Sequence, residues 1–150
     1  MKETDKAYIA GFVDGEGCIS ISFKSGYHHV RLVIVQKSKS VLEKIQKLFG
    51  FGSLRLRTNN GINKGWIYTL EFSYNHAFQV IKTIYPYLCV KRKQAEVFFK
   101  FYKTILPHGY TKNGLSKRAF NKRVLLKNKM HFLNSKKELP CKIELKSSKS

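Results

Sequence analysis

The sequence predicts an α+β fold, an antiparallel four-stranded sheet with helices packed on one face. Three observations point there. Apolar and polar residues alternate in four separate runs, the period-two signature of strands with one dry and one wet face. Between those runs, apolar residues recur at three- and four-residue spacing, as in amphipathic helices. The resulting order is helix, two strands, helix, two strands, two helices. A sheet built from two hairpins, with its helices gathered on one side, satisfies that order.

The elements follow in turn. Residues 5–15 read as a short helix, capped by Asp5, with Ile9, Phe12 and Val13 on one stripe; Gly15 and Gly17 break it. From Cys18 onward, Ile19, Ile21 and Phe23 alternate with Ser20, Ser22 and Lys24. A turn at Ser25–Gly26 leads to a second strand, with Val30, Leu32 and Ile34 inward and His29, Arg31, Val33 and Val35 outward. A helix over Ser40–Phe49 is stopped by Gly50. In the third strand Leu54 and Leu56 alternate with Ser53, Arg55 and Arg57, and Asn59–Asn60–Gly61 marks a turn. The fourth, Trp66–Tyr74, sets Trp66, Tyr68, Leu70 and Phe72 on one face and Ile67, Thr69, Glu71 and Ser73 on the other. Residues 75–85 and 91–104 read as helices separated by Pro86. This domain spans residues 1–106. Residues 107–134 form a basic helical appendage, entered through a Pro-, Gly- and Ser-containing linker over 107–116. Residues 135–150 are Lys/Ser-rich and expected to be disordered.

Composition narrows the function. Twenty-nine Lys and Arg against nine Asp and Glu leave a net charge of +20 on 150 residues. Such an excess repels itself unless a polyanion is the partner, and nucleic acid rewards clustered cations by counterion release. A membrane partner is not expected: no apolar run approaches the roughly 18 residues needed to cross a bilayer, and no long basic amphipathic helix dominates. Three cysteines without a CxxC pair argue against a disulfide framework or a Cys-based zinc site, and fit a reducing intracellular compartment. The five histidines lack metal-binding spacing, so any metal rests on oxygen ligands. Lysine far outnumbers arginine, and Ile, Phe, Tyr and Asn abound; their A/T-rich codons suggest an organellar gene, mitochondrial or chloroplast.

The outward sheet face carries Ser20, Ser22, Lys24, His29, Arg31, Val33, Arg55, Arg57, Thr69 and Glu71. A twisted antiparallel ribbon fits the major groove of double-stranded DNA, where such side chains read base edges. These ten are the candidate DNA-binding residues.

One segment carries chemistry. Ala7, Gly11 and Gly15 are spaced by four, a stripe of missing side chains along which two helices can approach backbone to backbone. At the negative end of that helix, the Glu16 carboxylate and the Gly15 carbonyl offer hard oxygen ligands suited to Mg²⁺. The stretch Tyr8-Ile9-Ala10-Gly11-Phe12-Val13-Asp14-Gly15-Glu16-Gly17 resembles the motif of LAGLIDADG homing endonucleases, with Glu16 where many members carry Asp. Val35-Gln36-Lys37-Ser38 and Cys89-Val90-Lys91-Arg92-Lys93-Gln94-Ala95 are similar to two further family stretches. The resemblance covers about residues 5–104. It implies catalytic roles for Glu16, Gln36 and Lys91, metal binding at Glu16 and Gly15, and a dimer interface at Ala7, Gly11, Asp14 and Gly15. The basic residue that assists the Gln in some relatives is left open among Lys37, Lys39 and Ser40.

A single motif copy implies a homodimer that hydrolyses both strands of a long, roughly palindromic site. Mg²⁺ would serve as cofactor, Mn²⁺ or Ca²⁺ would substitute in binding, and no small-molecule cofactor is needed. Such genes are typically intron-encoded. The same fold serves maturases, so intron RNA is a possible further partner; a maturase or a non-catalytic basic RNA-binding protein is the alternative reading.

Overall fold

A computed structural model describes residues 1–24, 27–59, 65–105 and 115–135. The elements are α1 (Glu3–Glu16), β1 (Gly17–Lys24), β2 (Tyr27–Gln36), α2 (Lys39–Phe49), β3 (Ser53–Asn59), β4 (Gly65–Ser73), α3 (Tyr74–Ile84), a 3-10 turn (Tyr85–Tyr87), α4 (Arg92–Tyr102) and α5 (Lys117–Ser135). The expected turn at Ser25–Gly26, most of the turn at residues 59–61, most of the linker at 107–116 and the tail beyond Ser135 lie outside the described residues.

All four strands form one antiparallel sheet in the order β1-β2-β4-β3. The two hairpins therefore meet through β2 and β4 and leave β1 and β3 at the edges. Register is set by the pattern of burial, because a one-residue slip would turn every apolar side chain to the wrong face. Ile19 pairs with Leu32, Leu32 with Phe72, and Ile34 with Leu70. These side chains are fully buried and pack against Ile9 and Val13 of α1, Leu42 and Ile45 of α2, Ile81 and Ile84 of α3, and Phe98 and Phe101 of α4.

The sheet's inner face supplies one side of this core and the helices the other, as the period-two runs predict. Met130 of α5 also enters the core, and α5 packs on α4 and β1. It is held by buried Arg123, which donates to Thr104 Oγ1 (3.0 Å) and the Thr104 carbonyl (2.6 Å), and by Asn134 Nδ2, which donates to the Ile19 carbonyl at 2.9 Å.

Several boundaries differ from expectation for local reasons. α1 starts at Glu3, and Asp5 sits inside its first turn, where its carboxylate accepts the Lys2 N–H at 3.2 Å. Gly15 does not break the helix, which runs to Glu16. The change to strand falls at Gly17, where a Cβ would stand 2.7 Å from the Val13 carbonyl oxygen. Only glycine fits there, because the chain folds back against the last turn. α2 stops as expected: Gly50 takes the left-handed φ of 76° and its N–H closes on the Gln46 carbonyl at 2.8 Å.

The helix expected over 75–85 starts at Tyr74 and gives way at Tyr85 to a tighter turn holding Pro86. Lys91 caps α4 rather than starting it. Trp66, expected inward with Leu70 and Phe72, is 63% exposed. It pairs with the exposed Thr58, one position from the end of the β3–β4 hairpin where the chain passes from β3 to β4.

Candidate functional site

The end of α1 is tied to the loop before α4 by one side chain. The Asp14 carboxylate accepts the Cys89 N–H at 2.7 Å on one oxygen and the Lys91 N–H at 2.8 Å on the other. In return, the Lys91 ammonium donates to the Asp14 carbonyl. That carbonyl belongs to the last turn, where intrahelical donors run out and the negative end of the helix dipole favours a cation. Asp14, expected at the dimer interface, is therefore committed within its own chain. Its carboxylate satisfies two backbone donors from a segment 75 and 77 positions away.

This lock ties Lys91 to the last turn of α1, which also carries Glu16. Glu16 follows Asp14 by two residues, on the same last turn. Its side chain is exposed, and it makes no hydrogen bond or ion pair among the described residues. Gln36 arrives from the sheet. Gly17 is paired with Ile34, so continuing the register two residues brings Gln36 level with the end of α1. Gln36 also has inward parity, on the side where the helices lie, and its Oε1 accepts the Lys37 N–H at 2.7 Å. Lys91 stands half-buried on the other side. One of its three ammonium donors is used on Asp14, leaving two.

A divalent cation fits these donors. The Glu16 carboxylate is unpaired at the negative end of a helix whose own last turn has no basic residue, and the one cation bonded there, Lys91, sits on the Asp14 carbonyl rather than on Glu16. Glu16 and the Gly15 carbonyl are hard oxygen ligands of the kind Mg²⁺ takes when most of its shell is water and phosphate. No cluster of three His, Cys, Asp or Glu occurs among the described residues, so the chain's own ligand set stays small.

The LAGLIDADG endonuclease family profile matches residues 9–105. The chain belongs to this family. No curated protein matches it in sequence. Among solved structures, the homing endonuclease I-CvuI in complex with the I-CreI target in the presence of Mg is 28% identical, over 91% of this chain and 86% of that one, with a TM-score of 0.72. I-CvuI with its own target in the presence of Ca gives 27% identity over 90% and 85%, with a TM-score of 0.70. The archaeal intron-encoded homing endonuclease I-Vdi141I, complexed with DNA, shares the fold at 22% identity over 91% and 88%, with a TM-score of 0.69.

In this LAGLIDADG chain, Ala7, Gly11 and Gly15 are all exposed, and a Cβ built on Gly11 or Gly15 meets nothing within 4 Å. Among the described residues, no neighbour requires these two positions to be glycine. The open sheet face is ordered by pairing into rows: Ser20 beside Arg31, Ser22 beside His29, Val33 beside Glu71, and Arg55 beside Thr69. Arg31 lies 3.9 Å from Glu71, an exposed pair of little net strength that a ligand can displace. Arg55 Nε donates to Ser53 Oγ at 2.9 Å, while Arg57 and Lys24 are exposed.

Thr69 departs from the expectation. It is 4% exposed and its Oγ1 has no hydrogen-bond partner among the described residues, so it presents nothing to a surface ligand. The reason is its row: a short side chain on a central strand is flanked on both sides, by the branched Val35 and the much longer Arg55. Sequence reasoning also passed over Tyr74, whose hydroxyl joins this face through His29. The signal was an aromatic donor at the end of a strand whose outward residues are polar.

Proposed function

We propose that the chain is a site-specific homing endonuclease acting as a homodimer on long, roughly palindromic double-stranded DNA, with one phosphodiester hydrolysed on each strand. The observation that carries this reading is Glu16, an exposed carboxylate with no ion pair among the described residues, at the negative end of α1 and beside a helix face stripped of side chains. A second α1 packed along Ala7, Gly11 and Gly15 would bring two such carboxylates together below the two sheets. The two-fold symmetry of that pair is what a repeated half-site mirrors.

Glu16 and the Gly15 carbonyl would hold the metal, Mg²⁺ in function, with Mn²⁺ or Ca²⁺ substituting in binding. A divalent ion bound there polarises a phosphoryl oxygen and lowers the pKa of its water. The free donors of Lys91 would stabilise charge building on the phosphate, and the Gln36 amide would orient the attacking water. Asp14 touches no substrate in this scheme; it keeps Lys91 at the end of α1. The sheet rows would lie in the major groove, with Arg55 and Arg57 two residues apart and so roughly 6–7 Å along one strand.

The test is incubation of the purified chain with a randomised duplex library and Mg²⁺, followed by sequencing of the cut ends. Staggered cuts at one roughly palindromic motif are expected. Glu16→Gln should bind the same sites and leave them whole, since the amide keeps the size and loses the charge. Cleavage by Glu16→Gln within about tenfold of the unmutated protein removes Glu16 from the mechanism. Binding without any sequence preference removes the site-specific reading.

A further inference from the structure

The open sheet face holds a groove of about 300 Å³ lined by Ser22, Lys24, His29, Arg31, Glu71 and Tyr74, among others. Tyr74 is the unusual member. Its φ of 47° is left-handed, a conformation bulky side chains rarely adopt and one that concentrates at functional positions. The hydroxyl donates to the His28 carbonyl at 3.2 Å and stands 2.9 Å from His29 Nδ1. A phenol has one hydrogen, and a carbonyl can only accept. Both bonds are made together only when His29 Nδ1 carries a proton and gives it to the Tyr74 oxygen. A neutral imidazole has one N–H, so Nε2, on the opposite edge of the ring, is left as a pure acceptor. His29 has no other hydrogen bond among the described residues, and its ring lines the groove.

We infer that Tyr74 is a positioning residue that fixes the His29 tautomer and so decides which bases His29 reads. In the major groove the donors are the exocyclic amino groups of cytosine and adenine. Guanine O6 and N7 and thymine O4 are acceptors. An imidazole with Nε2 unprotonated selects cytosine or adenine and is repelled by the acceptor edges. The opposite tautomer would select guanine or thymine. The inference rests on the DNA endonuclease reading, since it names what one side chain on that face recognises.

Two measurements test it on the full chain. The first needs no DNA: ring-nitrogen chemical shifts of ¹⁵N-labelled protein at mildly alkaline pH, with His29→Gln used to assign the signals. His29 Nδ1 is expected in the protonated range and Nε2 in the unprotonated range. Tyr74→Phe, which keeps the ring and removes one oxygen, should move His29 toward the opposite tautomer. The second is selection of bound duplexes from a randomised library in Ca²⁺.

At one base pair of each half-site the unmutated protein should favour cytosine or adenine on the contacted strand by about tenfold, the usual scale of a single mismatch. Tyr74→Phe should cut that preference to less than about threefold or turn it toward guanine or thymine, leaving other positions alone. An unprotonated Nδ1 in the unmutated protein overturns the inference, as does a Tyr74→Phe profile identical to the original. Correct nitrogen shifts in a protein that selects no duplex would instead locate the failure in the DNA reading, and the base assignment would fall with it.

Discussion

Replacing Gly11 with Leu should change stability and association in opposite directions. Within one chain the new side chain meets open space, because a Cβ at Gly11 has no neighbour within 4 Å. Gly11 lies mid-helix in α1, where glycine is the poorest ordinary helix former, so Leu should stabilise the monomer by about 0.5–1 kcal/mol. Across the proposed interface the same side chain stands where two backbones meet. Overpacking costs typically about 1–3 kcal/mol per site, and a symmetric dimer contains the site twice. The interface should lose roughly 2–6 kcal/mol, a weakening of about 30-fold or more in the dimer dissociation constant. Sedimentation equilibrium reads the second effect, and urea unfolding at concentrations below dissociation reads the first. A monomer made less stable by the substitution would mean that Gly11 is needed inside the chain. An unchanged dissociation constant would move the interface elsewhere.

Asp14→Asn should leave one of the Cys89 and Lys91 N–H groups facing an amide N–H₂, costing about 1–3 kcal/mol in urea unfolding; an unaltered midpoint would deny Asp14 its anchoring role. Arg55→Ala and Arg57→Ala should each relax base preference at particular half-site positions by roughly 1–3 kcal/mol of discrimination, seen in a cleavage-site profile; a uniform loss of affinity instead would make them phosphate contacts. His28 should make stability fall on mild acidification. Burial first, then the neighbouring charges of Arg123, Lys127 and His29, hold its pKa below the ordinary 6.5. The unfolded chain therefore takes up the proton sooner. Stability is full above pH 6.5, declines as pH falls through it, and is lost to this extent below the folded value. Unfolding midpoints across that range should show the decline, and His28→Phe should flatten it.

What could be read from the sequence was what repeats along the chain. The alternation of Ile19, Ile21, Leu32, Ile34, Leu70 and Phe72 is local, and it gave the strands, their inward face and the layer arrangement. Glu16 and the small residues Ala7, Gly11 and Gly15 were legible because one helical turn relates them. Contacts between distant segments were not legible. Asp14 carries a carboxylate suited to an interface, and only the arrival of residues 89–91 at the end of α1 shows where that carboxylate is spent. Thr69 alternates outward like Glu71, yet the rows formed by Val35 and Arg55 bury it. Burial on a sheet face depends on neighbours in other strands, which period-two reasoning does not see. His28, too, looks like an ordinary polar residue until Phe23, Phe101 and Phe120 close around it at 4.8, 5.5 and 5.8 Å.

The bond from Asn134 to the Ile19 carbonyl bears on how this protein stays out of trouble in a crowded solution. β1 is an edge strand, and an unpaired row of backbone donors and acceptors invites another chain to add a strand of its own. An asparagine amide already bonded to that edge, on a helix packed against the strand, occupies the place an intruding strand would take. Basic side chains such as Lys122 and Lys127 on the same helix add repulsion between like molecules. In this light α5 shields one of the sheet's two edges from a second copy that would pair along β1.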